Sequence, residues 1–238
     1  MRRLTFEKVI KARNFMQMNL NNKGPTVVSL FSGCGGMDLG FIMAGYKVIW
    51  ANECWKDAAD TYEHNLGKHV DRRKIEDVPS KEIPDCDVVV GGPPCQAFSL
   101  AKGKRFLTDP RAKLVFEFVR VVKDKMPRAF VLENVPGLCS FGGYETPADK
   151  KRHTGRHLKE LLKSFQGAGY EVSWAILNAA NYGVPQHRRR IFIIGRRIDF
   201  MIIRGVANKE TLKAYGLSRQ KIGLKVITGE IEPQCLQP

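Results

Sequence analysis

Residues 26–41, TVVSLFSGCGGMDLGF, run from a β-branched apolar stretch through three glycines into a segment of helix-compatible composition. The pattern predicts a strand, a glycine-rich turn and a helix in succession. Such a turn lets a ligand approach the backbone closely and offers it the N–H groups of a helix N-terminus. The spacing is not G-x-G-x-x-G, because Asp38 stands at the third position. The turn therefore leaves two interpretations open, a nucleoside cofactor site or a tight strand-to-helix connection.

The alternation of strand and helix continues along the chain. Five further apolar runs are separated by helix-compatible segments: YKVIWA (46–51), DVVVGG (87–92), AFVLEN (129–134), YEVSWAIL (170–177) and RIFIIG (190–195). The clearest helix is predicted over 112–127, where apolar residues form one stripe that a proline ends. Strands that alternate with helices predict an α/β fold, a doubly wound and mostly parallel sheet.

The domain organisation follows from where this alternation holds. We expect a basic N-terminal extension over residues 1–25, one α/β domain over 26–197, and a C-terminal tail over 198–238. Two segments inside the domain, 99–109 and 141–157, are rich in Gly, Lys and Arg and show little apolar periodicity. They are predicted to be loops, and loops of this length are usually functional or disordered.

Composition narrows the possible partners. The 238 residues are 43% hydrophobic, and 39 Lys or Arg against 24 Asp or Glu give a formal charge of +15. Such a charge attracts polyanions such as nucleic acid, although a merely solvated basic surface is the alternative. No apolar run is long enough to span a bilayer, so we expect a cytoplasmic protein that does not bind a membrane.

Cysteine and histidine usage predicts no metal. The six cysteines are widely scattered and form no C-x-x-C pair, which argues against a disulfide framework and a thiolate zinc site. Each is then a buried or a reactive thiol. His153 and His157 have i, i+4 spacing, but they lie in a Lys-rich segment and offer only two ligands.

Two strand ends carry groups suited to ligand binding or chemistry, at the edge where open α/β sheets bind ligands. Glu53 ends the second predicted strand about twenty residues after the first glycine, where an acid can accept hydrogen bonds from ribose hydroxyls. Its alternative role is to cap the next helix. Cys95 follows Gly91-Gly92-Pro93-Pro94, in which the glycines permit a turn and the prolines restrict φ. This favours a positioned nucleophile over a packed core thiol.

Two later strands add ionisable groups. Glu133 lies at the end of AFVLEN, where poor solvation of its carboxyl would raise its pKa and keep a proton near neutral pH. Gln186, Arg188 and Arg190 precede or begin the last strand. Alternation along a strand would put the two arginines on one face, able to grip a phosphate or a base edge. The alternative interpretation is a solvated charge run.

Four motifs in this order, the glycine turn, G-G-P-P-C-Q, E-N-V and Q-x-R-x-R, resemble the DNA cytosine-5 methyltransferases between Thr26 and Gly195. The resemblance implies a Rossmann-like class I methyltransferase domain that uses S-adenosyl-L-methionine. It also implies double-stranded DNA as substrate, methylation at C5 of a flipped cytosine, and a place in restriction-modification.

The resemblance assigns roles to residues. The thiolate of Cys95 would add to C6 of cytosine, Glu133 would hydrogen-bond or protonate N3, and Arg188 and Arg190 would hold the substrate. The implied cofactor-binding residues are Phe31, Ser32, Gly33, Gly35, Gly36, Glu53, Cys54, Ile75 and Pro93. The implied substrate-binding residues are Pro94, Gln96, Ser99, Asn134 and Gln186. The 99–109 segment would close over the extruded cytosine.

The sequence departs from the family pattern at three places. The family usually has an acid followed by an apolar residue at the adenine, and Lys74 and Ile75 stand at these positions here. Many members have a large apolar or aromatic residue directly after the ribose acid, whereas Cys54 follows Glu53 and Trp55 comes one position later. Beyond residue 197 neither a recognition domain nor the final family motifs are evident. The expectation is a catalytic portion or one subunit of a split enzyme, nucleoid-associated, with a second polypeptide for target recognition. An inactive nucleic-acid-binding remnant and a tRNA cytosine-5 methyltransferase are the alternatives.

Overall fold

A computed structural model describes residues 24–94 and 113–198. The strands and helices, in chain order, are β1 (Thr26–Leu30), α1 (Gly36–Met43), β2 (Lys47–Asn52), α2 (Lys56–Leu66), β3 (Val70–Asp71), β4 (Val88–Gly91), α3 (Leu114–Lys125), β5 (Ala129–Asn134), α4 (Pro147–Arg152), α5 (Arg156–Gly167), β6 (Tyr170–Asn178) and β7 (Arg189–Arg197). The predicted N-terminal extension, the 99–109 loop and the C-terminal tail lie outside the described residues, apart from Gly24, Pro25 and Ile198.

The strands form one seven-stranded sheet in the order β3-β2-β1-β4-β5-β7-β6. All neighbours are parallel except β7, which runs antiparallel to both β5 and β6. This confirms the predicted α/β fold with a mostly parallel sheet. The six apolar runs all form strands, whereas the two-residue β3 is too short to produce a periodic pattern.

The core lies on both faces of the central strands. In β1 and β4 almost every residue is buried, which explains why the two strands read as continuous apolar runs rather than alternating ones. On one face α3 buries the predicted stripe of Val115, Phe118, Val119 and Val122. In the described residues no helix is long and apolar enough to cross a membrane.

The segment 141–157 is more ordered than the sequence predicted, because it contains α4 and the start of α5. The Thr146 hydroxyl accepts a hydrogen bond from the Asp149 N–H, the Asp149 carboxylate accepts one from the Thr146 N–H, both at 3.1 Å, and Pro147 occupies the first turn. This is a capping box, which fixes a helix N-terminus locally. The prediction of an irregular loop was wrong here because a six-residue helix has no apolar stripe to detect.

The sheet topology decides where ligands can bind. The carboxyl ends of β1, β2, β4 and β5 lie at one edge, and the antiparallel β7 begins at that same edge, since Ile191 pairs with Asn134. All the motifs quoted from the sequence follow or begin these strands. The described motif residues therefore meet at a single edge of the sheet.

Candidate active site

The glycine turn after β1 requires glycine for conformation and for space. Gly33 and Gly35 have φ of +55° and +86°. A Cβ on Gly35 would lie 2.4 Å from Leu66 Cδ1 and 2.9 Å from Tyr62 Cδ2, both on α2. Nothing lies within 4 Å of a Cβ placed on Gly33. Gly35 thus lets α2 pack against the turn, whereas Gly33 serves the backbone conformation alone.

Glu53, directly after β2, binds the backbone on two sides. Its Oε2 accepts a hydrogen bond from the Gly33 N–H at 2.9 Å, and its Oε1 accepts one from the Trp55 N–H at 2.8 Å. Trp55 is the residue before α2, so this second bond holds the backbone where it enters the helix rather than satisfying an N–H group of its first turn. A carboxylate oxygen has a second acceptor site, and both roles remain compatible.

Beside Glu53 lies a cavity of about 550 Å³. The predicted residues Phe31, Glu53, Cys54 and Ile75 line it. Trp55, whose side chain is 69% exposed, adds an aromatic face to the same wall. Aromatic and apolar walls with one acid at the end of β2 fit an adenosine group, because the walls can pack on the base and the acid can accept hydroxyl donors.

Seven of the eleven residues that line this cavity lie outside the predicted cofactor set. Glu76 follows Ile75 in a short 3₁₀ turn and lines the cavity together with Lys74. The sequence pattern had been aligned with the acid before the apolar residue, so the acid after it was overlooked. Leu114, at the start of α3, also lines the cavity, and Pro94 does so in place of Pro93.

The two glycines before the prolines are needed for space, not for an unusual turn. Neither Gly91 nor Gly92 has a positive φ. A Cβ on Gly91 would lie 2.7 Å from the Leu30 carbonyl oxygen, and one on Gly92 would lie 3.1 Å from Glu133 Oε2. Any larger residue at position 92 would press on the carboxylate of Glu133.

Asn134 ties the end of β5 to the segment that precedes Cys95. It is 1% exposed, its amide donates to the Pro93 carbonyl at 3.2 Å, and its Oδ1 accepts from the Val135 N–H at 2.8 Å. Cys95, Gln96 and Ser99 lie outside the described residues.

Glu133 and Arg190 form an ion pair at the carboxyl edge. Arg190 Nε lies 2.9 Å from Glu133 Oε1, and about a quarter of each side chain is exposed. Burial raises the pKa of Glu133, while the positive charges of Arg190 and Arg188 limit the rise. A carboxyl with a raised pKa can hold a proton closer to neutral pH, as predicted for this position.

Glu133, Arg188 and Arg190 line a second cavity of about 660 Å³. Phe31, Ser32 and Gly36 of the glycine turn line it too, so the two cavities share the wall at Phe31. Gln186 lies in the exposed turn before β7, where its N–H donates to the Val184 carbonyl. It does not line either of these two cavities.

A buried network of polar side chains beside the second cavity was not predicted from the sequence. Ser29 and Asp38 belong both to this network and to the wall of the cavity. Asp38 is fully buried and accepts hydrogen bonds from the Ser29 hydroxyl at 2.6 Å and from the Tyr62 hydroxyl at 2.7 Å. His69 Nε2 lies 3.1 Å from the Tyr62 oxygen. The only sequence feature that could have indicated this network is an acid within an otherwise apolar stretch after the glycines.

No group of three potential metal ligands occurs in the parts of the chain that the structure describes. The two histidines that drew notice are far from such a role, since His153 is exposed and His157 Nδ1 lies 3.3 Å from the Glu160 carboxylate.

Comparison with known proteins identifies the family. The model for the C-5 cytosine-specific DNA methylase family matches residues 25–226. The chain belongs to this family. It is 43% identical over 176 residues to the Type II methyltransferase M.FnuDI of Fusobacterium nucleatum, which covers 74% of the chain and 48% of that relative. The chain thus spans about half the length of M.FnuDI.

Two further relatives bear on length and fold. The Type II methyltransferase M.AquIA of Picosynechococcus is 38% identical over 181 residues, 72% of the chain and 72% of that relative. The solved structure of the Entamoeba histolytica methyltransferase EhMeth superposes with a TM-score of 0.58 at 23% identity, over 74% of the chain and 53% of EhMeth. The methyltransferase fold and the family implied by the motifs are therefore confirmed.

Proposed function

We propose that this C-5 cytosine methylase chain is the catalytic portion of a DNA cytosine-5 methyltransferase. The observation that carries the proposal is the Glu133–Arg190 pair, 2.9 Å apart at the edge where Asn134 binds the segment leading into Cys95. It brings a carboxyl with a raised pKa close to the sequence position of a thiol nucleophile. Both groups then serve one substrate at the carboxyl edge of the sheet.

S-adenosylmethionine supplies an electrophilic methyl group when bound. Glu53 accepts hydrogen bonds from the ribose hydroxyls, while Phe31 and Trp55 pack against the adenosine. Glu76 accepts a hydrogen bond from the adenine amino group. In the family this acid usually comes directly before the apolar residue, whereas Glu76 comes directly after Ile75. Support for this set comes from the 550 Å³ cavity that all four residues line. Pro94 replaces Pro93 as the proposed contact.

The chain's own residues activate cytosine, whose C5 is too weak a nucleophile on its own. The Cys95 thiolate forms a bond to C6, and the displaced electron pair of the C5–C6 bond becomes available at C5. Glu133 donates its proton to N3 and so stabilises the negative charge that addition places on the ring. Once C5 carries the methyl group, the C5 proton leaves and its electron pair re-forms the C5–C6 double bond. The Cys95 sulfur then departs with the electrons of the S–C6 bond.

Arg190 orients Glu133, and Arg188 and Arg190 together hold the substrate. The guanidinium of Arg190 fixes the carboxyl orientation through Nε, and the positive charge nearby keeps the pKa rise of Glu133 moderate. Glu133 can then both give and regain a proton. Asn134 acts through the Pro93 carbonyl to position the Cys95 segment, and the exposed Gln186 is retained as a substrate contact only by its motif.

We propose residues 26–197 as the catalytic domain and a second polypeptide as the source of target recognition, in a complex that acts on cytoplasmic, nucleoid-associated DNA. M.FnuDI extends over about twice the length that the chain matches, whereas 72% of M.AquIA is matched. A recognition unit on a separate chain is consistent with that difference.

A trapping experiment tests the function. The chain, alone and with the product of the adjacent gene, is incubated with S-adenosylmethionine and DNA containing 5-fluorocytosine, whose C5 fluorine prevents release of the adduct. We expect a covalent complex that disappears in Cys95→Ala and persists in Cys86→Ala, a matched control two residues before β4. Absence of an adduct under both conditions would favour an inactive remnant. An adduct with tRNA but not with DNA would favour the tRNA enzyme.

A further inference from the structure

The charge of the described chain is divided between its two halves. Residues 24–94, which carry the cofactor cavity's acids, contain seven Lys or Arg against eleven Asp or Glu. Residues 113–198, which carry Glu133 and Arg190, contain sixteen against seven. The positive charge is thus concentrated in the half that holds the proposed substrate site, not spread over the surface.

Within that half, three consecutive cations make no ion pair among the described residues. Most others are paired, for example Arg120 with Glu117 and Lys125 with Asp85. Lys150, Lys151 and Arg152, which we name the α4 cations, are all exposed and make no ion pair with any described residue. Successive helix positions are about 100° apart, so three cations in a row cover the outer side of α4 while Asp149 faces inward.

The α4 cations stand on a firmly held segment. Lys159 of α5 donates to Asp149 at 2.9 Å and to Glu145 at 3.0 Å, which fixes both ends of the turn that leads into α4. After the helix, the Gly155 N–H donates to the Cys139 carbonyl at 2.6 Å. A Cβ on Gly155 would lie 2.8 Å from the Phe141 carbonyl oxygen, so the two backbones are in close contact.

This segment lies at the same edge of the sheet as Glu133. The 3₁₀ turn Pro136–Cys139 follows β5 almost immediately and packs against β7 and α5. Arg188 and Arg189, exposed at the start of β7, reach the edge from the neighbouring strand. Cations therefore occur on two elements at this edge, at the start of β7 and on α4.

We propose that the α4 cations bind the phosphate backbone of the DNA duplex that flanks the target cytosine. The proposal rests on the proposed function and adds a docking surface to it. Three exposed cations that make no ion pair with a described residue suit a polyanion read by charge alone. Their contribution is register and affinity, independent of sequence, while the chemistry stays with the groups around Glu133.

The test compares two triple variants that lose the same charge. K150A/K151A/R152A removes the α4 cations, and alanine preserves the helix. K47A/K123A/K163A removes three exposed lysines from β2, α3 and the second half of α5. Binding of each variant and of the unaltered chain to a fluorescent DNA duplex is measured by anisotropy between about 50 and 200 mM salt.

Each phosphate contact contributes about 0.9 to the slope of log K against log salt, so we expect the α4 variant's slope to be shallower by about two to three. The lysine control should retain the slope of the unaltered chain. Equal slopes for the two variants, or a loss seen only with duplex RNA, would overturn the proposal. If the unaltered chain binds no DNA, the proposed function falls as well. If it binds and traps 5-fluorocytosine while the α4 variant keeps its slope, only the α4 surface is refuted.

Discussion

The buried carboxylate of Asp38 offers a stringent test, because two substitutions of it should behave very differently. In Asp38→Ala the hydroxyls of Ser29 and Tyr62 lose their acceptor inside the core. The Tyr62 hydroxyl can still turn to His69 Nε2, so the Ser29 hydroxyl is the group left without an acceptor. An unsatisfied buried group costs about 1 to 3 kcal/mol, and the cavity left by the carboxyl adds to that fall in the free energy of unfolding. This is a large part of the stability of an ordinary domain, which is about 5 to 15 kcal/mol.

Asp38→Asn should cost much less, because the hydrogen bonds can reverse direction. In the native chain the Tyr62 hydroxyl donates to Asp38, so Nε2 of His69, whose pKa is lowered by burial, must carry the proton and donate to the Tyr62 oxygen. With asparagine, the new amide donates to Tyr62 and the Tyr62 hydroxyl donates to His69. Ser29, Tyr62 and His69 all keep a partner and no cavity forms, while one of the two amide N–H groups of asparagine is left over, so we expect a loss of about 1 kcal/mol together with a change of the His69 tautomer.

The stability of the native chain and the stability of Asp38→Asn should also depend differently on pH. Burial raises the pKa of Asp38 in the folded state, so the folded chain binds a proton that the unfolded chain has already lost. The native protein is therefore favoured at acid pH and loses stability as pH rises from about 4 through the raised pKa, by about 1.4 kcal/mol per pH unit at most. Asp38→Asn lacks this loss.

Urea unfolding from about pH 4 to 7 and nitrogen NMR of the His69 ring check both statements, with Asp57→Asn as an exposed control in the first turn of α2. The reasoning is refuted if Asp38→Asn is as unstable as Asp38→Ala. It is equally refuted if the stability difference between the native chain and Asp38→Asn does not change with pH.

Two further outcomes follow from the site. Gly35→Ala should lose more stability than Gly33→Ala: both pay the left-handed backbone cost of about 1 to 2 kcal/mol, but only the Gly35 Cβ would collide with Leu66, at 2.4 Å. Similar urea midpoints for the two variants would contradict this. Glu133→Gln keeps an oxygen for Arg190 but has no proton to donate, so adduct formation should slow by about 10²- to 10⁴-fold, while cofactor affinity measured by calorimetry stays unchanged. An unaltered trapping rate would remove Glu133 from the proton transfer.

The strands, the glycine turn and the order of the motifs could be predicted from the sequence, because each depends on neighbouring residues. The alternation of apolar runs located all six of the longer strands, and the position of Glu53 and Glu133 at strand ends followed directly. Composition indicated a polyanionic partner. The resemblance of the motifs named the family that the comparison later identified.

Tertiary structure alone decided the rest, because it depends on residues far apart in the chain. Asp38 and Tyr62 are 24 positions apart and belong to different helices, so no local pattern pairs them. Gly92 requires the absence of a side chain only because Glu133 of the next strand lies against it. Glu76 reaches the cavity beside Glu53 through a 3₁₀ turn, and the α4 cations lie on a capped six-residue helix. Periodicity reports which face of a segment is buried; the distance between two segments is set by how the sheet packs.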